Sequence, residues 1–179
     1  MACDVTKGKL DVSCKDAAGG YKAIYLANYG DYDFTTASSD VAGHVLTDLG
    51  TLTEVYKFAA KNTANTYDQT INSNRDNGTT TYTQVLNLTL TKLTPEMEYQ
   101  VRMMSLGRPI IFLELNSGEV LAIGLENGTE IAGKSAVGGT IDSFAGYQLT
   151  ATGTEAQPNY FLDASAVSSL KALVSADNL

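Results

Sequence analysis

Between Tyr67 and Leu93 the chain reads YDQTINSNRDNGTTTYTQVLNLTLTKL, two long segments of strand character on either side of the tripeptide Asp76-Asn77-Gly78. Tight hairpin turns need positive backbone angles, which Gly adopts freely because it lacks a Cβ and which Asn tolerates. The stretch therefore predicts a long β-hairpin. On its second arm Tyr82, Leu86, Leu88 and Leu90 share one face, while Thr83, Asn87, Thr89 and Thr91 share the other. That period of two belongs to a half-buried strand, so one face must lie on a core and the other meets water or a neighbouring molecule.

The rest of the composition suits a sheet-built protein. A chain of 179 residues that is 44% hydrophobic and 18% charged is long enough for one domain with a real core and short for two. We read residues 1–179 as one domain, with 1–20 as an extended arm that orders on a partner. Ten Tyr, sixteen Gly and no Trp, beside many Thr and Val, favour strands and turns over a helical bundle. The expected class is mainly β.

Further elements follow from local pattern. YKAIYLAN (21–28) and TEVYKFAA (53–60) read as strands, with a surface loop between them that contains a short strand near His44 to Leu46. Thr94-Pro95-Glu96 is a helix start: Thr caps free amides, Pro suits the first helical position, and Glu favours the positive dipole end. The helix spans about 94–106, with Met97, Val101 and Met104 as its buried stripe and Gly107 ending it. IIFLEL and VLAIGL flank Asn116-Ser117-Gly118 and predict a second hairpin at the centre of the core. Glu126 to Ser143 is read as a Gly-rich polar loop, Tyr147 to Thr152 as a strand, and Ser165 to Ser175 as a short amphipathic C-terminal helix.

The chemistry-bearing residues are sparse. Gly128 to Ser135, GTEIAGKS, has the formal spacing of a phosphate-binding loop, but the following AVGGTIDSFAG is a poor helix, and such a loop works by aiming a helix N-terminus at the anion. Cys3 and Cys14 with the single His44 are too few for a structural zinc site, and the two cysteines admit either a small disulfide loop or free thiols. Acid pairs such as Asp31 with Asp33 or Glu126 with Glu130 read as a solvated face among twenty acidic residues. We expect no enzyme, no cofactor and no metal. A net charge of -8 disfavours a surface that grips phosphate backbones. No apolar run is long enough to span a bilayer, and the first residues lack the features of a secretory signal.

The block order GGYKAIYLANYG, QTINSNRDNGTTTYTQVLNLTL, GRPIIFLELNSGEVLAIGLENGTEI and GYQLTATGTEAQPNYFL resembles structural proteins of tailed bacteriophages that infect Bacteroidetes, crAss-like phages among them. The resemblance covers about Gly20 to Leu162 and leaves the loop 133–142 and the tail after Ala164 without a counterpart. It implies a virion protein of the tail or head-to-tail connector, of tail-tube type: a β-sandwich or rolled antiparallel sheet with a flanking helix. It further implies identical subunits in a six- or twelve-fold ring beside other tail or connector proteins. Such a ring is assembled in the host cytoplasm, and genomic DNA passes through it on ejection without sequence-specific binding. No catalytic residue carries over.

The hairpin fits such a role, because strand pairing between subunits removes exposed sheet edges. Asn74, Arg75, Asp76, Asn77, Gly78, Thr79, Thr81 and Thr83 are the candidate inter-subunit or lumen-facing residues, and an acidic wall would repel passing phosphates. The alternative is a β-sandwich binding module of the tail tip, with exposed Tyr25, Tyr29 and Tyr32 stacking on sugars.

Overall fold

The apolar runs of the sequence become strands buried on both faces, and the alternating ones become strands buried on one. In the computed structural model, which describes residues 8, 19–33, 39–40, 44–60 and 65–176, the strands are β1 (Tyr21–Ala27), β2 (Ser39–Asp40), β3 (Val45–Leu46), β4 (Tyr56–Ala59), β5 (Thr66–Asn74), β6 (Thr79–Thr91), β7 (Ile110–Leu115), β8 (Val120–Ile123), β9 (Glu130–Val137), β10 (Ala145–Glu155) and β11 (Tyr160–Leu162). The helices are α1 (Pro95–Leu106) and α2 (Ala164–Ala172). One sheet has seven strands in the order β2-β3-β11-β8-β7-β1-β4, and a second has four in the order β5-β6-β10-β9. The described residues are thus mainly β, with two facing sheets, two helices and no closed barrel. Strand pairing is antiparallel except between β11 and β3, which run parallel, and an isolated parallel bridge joins Val55 to Val174.

The centre is the larger sheet. Ile24, Leu26, Ile111, Leu113, Leu121 and Ile123 point from it onto Leu86, Leu88, Leu90, Tyr147, Leu149 and Ala151 of the smaller sheet. Its other face carries Tyr25, Ile110, Phe112, Val120 and Ala122, covered by Leu46, Leu49, Leu52 and Val55 and by Ala166 and Leu170 of α2. A strand covered on both sides loses its alternation, which is why IIFLEL reads as a continuous apolar run. The register of β1 on β7 shifts between Tyr21 and Ala23, and that bulge turns Tyr21 toward the smaller sheet, the side Ile24 faces.

Both helices begin at a side-chain cap, and α2 runs Ala164–Ala172 where the sequence pattern predicts Ser165 to Ser175. Thr94 Oγ1 accepts from Met97 N at 3.2 Å, and Asp163 Oδ1 accepts from Ala166 N at 2.8 Å. Met104 is buried, with Met97 and Val101 against the same cluster, so α1 closes one side of the space between the sheets. Gly107 ends α1 without the left-handed geometry usual for a terminal glycine: its φ is -90°, and its amide donates to Met103 O at 3.0 Å. No helix among the described residues is long and apolar enough to cross a membrane.

One expectation fails here. The polar stretch 126–143 is not a loop throughout, since β9 runs through it, paired along its length with β10. The backbone ladder and the apolar face of β10 hold this strand, not its own hydrophobicity. Gly133 lies where a Cβ would sit 2.7 Å from a methyl of Leu149, so the glycine admits a close strand approach. Cys3, Cys14 and the reading of 1–20 as an arm fall outside the described residues, apart from Gly8, Gly19 and Gly20.

Candidate functional site

All eight predicted hairpin residues come together at the end of the β5–β6 ribbon. Asn74 pairs with Thr79, and its Oδ1 accepts from the amides of Asp76 at 2.9 Å and Asn77 at 3.2 Å, so the side chain does part of the turning. Gly78 has φ 64° and donates to Arg75 O at 3.3 Å; it alone between Arg75 and Gly78 takes the left-handed conformation that the sequence assigned also to Asn77. Thr81 pairs with Asn72 and Thr83 with Thr70, and Asn72 Nδ2 donates to Thr83 Oγ1 at 2.9 Å.

The ribbon outruns its sheet. β10 follows β6 only as far as the Tyr82–Glu155 rung, and beyond it Asn72–Asn74 and Thr79–Thr81 pair with each other alone. Residues 71–80 are all exposed. On the side that continues the core face, Ile71 pairs with Tyr82 and is 62% exposed. An apolar residue held out on a two-stranded ledge is a place for a partner to cover.

The face of the small sheet turned away from the core is nearly uncharged. Register places Thr66, Thr70, Thr83, Asn87, Gln148, Thr150 and Thr152 on it, and its only charged strand residues are Asp68, Glu130 and Lys134. Thr150 Oγ1 donates to Asn87 Oδ1 at 2.9 Å, and Asn87 Nδ2 donates to Thr66 Oγ1 at 3.0 Å, a polar row across three strands. The expected acidic wall is therefore corrected: two acids and one base leave this face with a formal charge near -1. The chain's negative charge lies elsewhere, because alternation put Thr and Asn on this face.

Three other readings are also placed. Tyr25 is 0% exposed and Tyr32 7%, and Tyr29 is half-buried with its hydroxyl on Glu126 O at 2.6 Å, so the expected aromatic sugar platform is absent; these side chains fill or tie down the core. Burial pushes the Tyr25 and Tyr32 hydroxyls up. Lys134 and Ser135 lie within β9, opposite Gln148 and Tyr147, with no helix following, so the phosphate-loop spacing is accidental. His44 has φ 50° and meets Tyr160 edge-on at 5.3 Å, a core contact.

A buried polar node escaped the sequence reading. Gln84 occupies a core-facing position of β6, and its Oε1 accepts from Gly124 N at 3.0 Å. Nearby, Asn127 N donates to Glu155 Oε1 at 3.1 Å, and Thr129 Oγ1 donates to Pro109 O at 2.6 Å. Burial raises the Glu155 carboxyl, against the lowering pull of the Asn127 amide. The node ties the 124–129 turn to the base of the projecting ribbon. Gln84→Ala strands a buried amide, and we expect a loss of about 2 kcal/mol in urea unfolding; a change below about 0.5 kcal/mol would show that water replaces the side chain.

The chain matches no protein-family model, no curated protein and no solved structure. Its function is therefore argued from the surfaces above.

Proposed function

We propose that this protein is a ring-forming structural subunit of a bacteriophage tail or head-to-tail connector, surrounding the channel through which DNA leaves. The observation that carries this is the four-stranded sheet. Its edge strands β5 and β9 are antiparallel to each other, because three antiparallel pairings separate them. The β9 edge of one copy therefore meets the β5 edge of an identically oriented copy as an ordinary antiparallel pair, and repetition closes a ring without leaving an edge. Six copies close about 24 strands; at about 4.8 Å per strand and a tilt of about 40°, the wall is roughly 48 Å across between backbones. Side chains still leave a lumen wider than a DNA duplex.

The Thr- and Asn-rich face then lines the channel. Hydroxyls and amides stay hydrated and offer phosphates no cluster of cations, so DNA slides without being held. The projecting ribbon reaches beyond its own ring to the next component. Negative-stain images of purified protein should show closed rings of one symmetry. A chain that stays monomeric at every concentration and is missing from particles by mass spectrometry refutes the reading.

A further inference from the structure

The turn that joins β9 to β10 carries an apolar side chain with nothing over it. Residues 138–144 read GGTIDSF; Val137 at the base is 72% exposed, and Ile141 at the tip is fully exposed. The turn holds its own shape. Gly138 N donates to Phe144 O at 2.9 Å, Ser143 N donates to Thr140 O at 3.1 Å, and the Thr140 and Ser143 hydroxyls bond to each other. Asp142 follows Ile141 and is the only charged residue from 135 to 145. Hydrogen bonds from Thr140 and from its own amide hold its carboxyl below the usual range, so it is ionised at neutral pH. An exposed apolar tip beside one charge is a shape for a partner to receive.

The same chain offers a receptor. Between α1 and the strands β1 and β4 lies an open groove of about 480 Å³, with Leu26, Tyr56, Phe58, Met103 and Met104 along it. Arg108 is the only charged residue that lines it among the described residues. Its guanidinium stacks on the Tyr29 ring at 4.9 Å, the Tyr29 hydroxyl is tied to Glu126 O, and Arg108 makes no ion pair among the described residues. An apolar trough with one cation thus faces the match of an apolar tip with one anion. The register decides whose groove the tip can reach. Val137 pairs with Ala145 at one end of β9, and Glu130 with Thr152 at the other. Thr129, just before that second end, donates to Pro109 O from its amide and from its hydroxyl, which places Arg108 there. The eight residues of β9 put about 23 Å between the two sites. A subunit's own tip therefore cannot fill its own groove, and a second copy's tip can.

We propose that the β9–β10 turn of one copy docks head to tail into the α1 groove of another, with Ile141 in the apolar trough and Asp142 paired to Arg108. Complementary sites at opposite ends of one subunit make a heterologous contact, which repeats from copy to copy. The contact is separate from the β5–β9 seam. Its placement between successive rings rests on the proposed function; the docking itself requires only a second copy.

The test uses full-length protein in which Ile141 is replaced by the photo-crosslinking residue benzoylphenylalanine, mixed with an excess of isotope-labelled wild-type protein and read by mass spectrometry. Cross-links to Met103 or Met104 of the labelled chain are expected. Their yield should fall at least about tenfold when the labelled chain carries Arg108→Asp, and Asp142→Arg in the tip copy should restore it. Arg108 is exposed, so its reversal spares the fold; Met103→Glu, at a second exposed position of the groove, should lower the yield as well. Cross-links confined to one chain, none at all between chains, or a yield indifferent to both groove variants overturns the proposal. Closed rings without cross-links in the groove would sink this inference and leave the ring standing; groove cross-links between copies that never close a ring would do the reverse.

Discussion

Replacing Ser73–Thr80 by Asn-Gly should abolish assembly beyond a single ring while leaving the subunit's stability within about 0.5 kcal/mol. The excised residues are exposed, and the cut falls beyond the Asn72–Thr81 rung, which a two-residue turn closes with the right twist. Core strands β7, β8 and β10 lose nothing, so unfolding by urea is unchanged. What disappears is the ribbon beyond the Asn72–Thr81 rung, with its turn. Electron microscopy of variant and wild type side by side decides the matter. Stacked rings or tubes formed by the variant would reduce the ribbon to a surface loop.

Glu114→Gln should cost about 3 kcal/mol at neutral pH and close to nothing near pH 2. Glu114 is 3% exposed on β7, where burial alone would raise its carboxyl. The opposing pull is stronger: Lys171 Nζ lies 2.8 Å and Lys22 Nζ 3.3 Å from Oε1, and the Tyr25 hydroxyl donates to Oε2 at 2.8 Å. Together they lower the carboxyl from 4.5 to about 2. A group whose pKa falls on folding stabilises the native state above its unfolded value, and that contribution is lost as pH drops from about 4.5 toward 2. The glutamine variant lacks this titration, so its stability should be flatter across that window. The two lysines are about half exposed and can return to water, which keeps the cost below that of stranding a buried charge. Parallel pH profiles of variant and wild type in urea unfolding would refute the assignment. The three-way contact also pins α2, through Lys171, to the sheet that carries the core.

Much of the fold was legible because each element's cue was local. Asp76-Asn77-Gly78 carries its own turn chemistry, Thr94 carries its cap, and the continuous run IIFLEL announces a strand. β9 was illegible for the opposite reason: EIAGKSAV has little to bury, and its strand state comes from pairing along its length with a neighbour that the sequence does not point to. Gln84 was hidden by the same logic, since its value lies in one carbonyl oxygen meeting Gly124 forty residues on. Tyr25, Tyr29 and Tyr32 were misplaced at the surface because aromatic residues near a loop look alike whether they stack on a ligand or plug a core.

The sequence by itself determined that this chain builds sheets, where its hairpins turn, and that the long ribbon has one polar and one apolar arm face. Those properties depend on backbone preference and on a period of two, which a few neighbouring residues suffice to express. Only the tertiary structure decided which strands end each sheet among the described residues, that β5 and β9 run antiparallel at opposite ends of one sheet, and that the outward face is nearly uncharged although the chain is acidic. These depend on which distant strands pair and on which side a core forms, and long-range pairing is set by the collective burial of segments far apart in the chain.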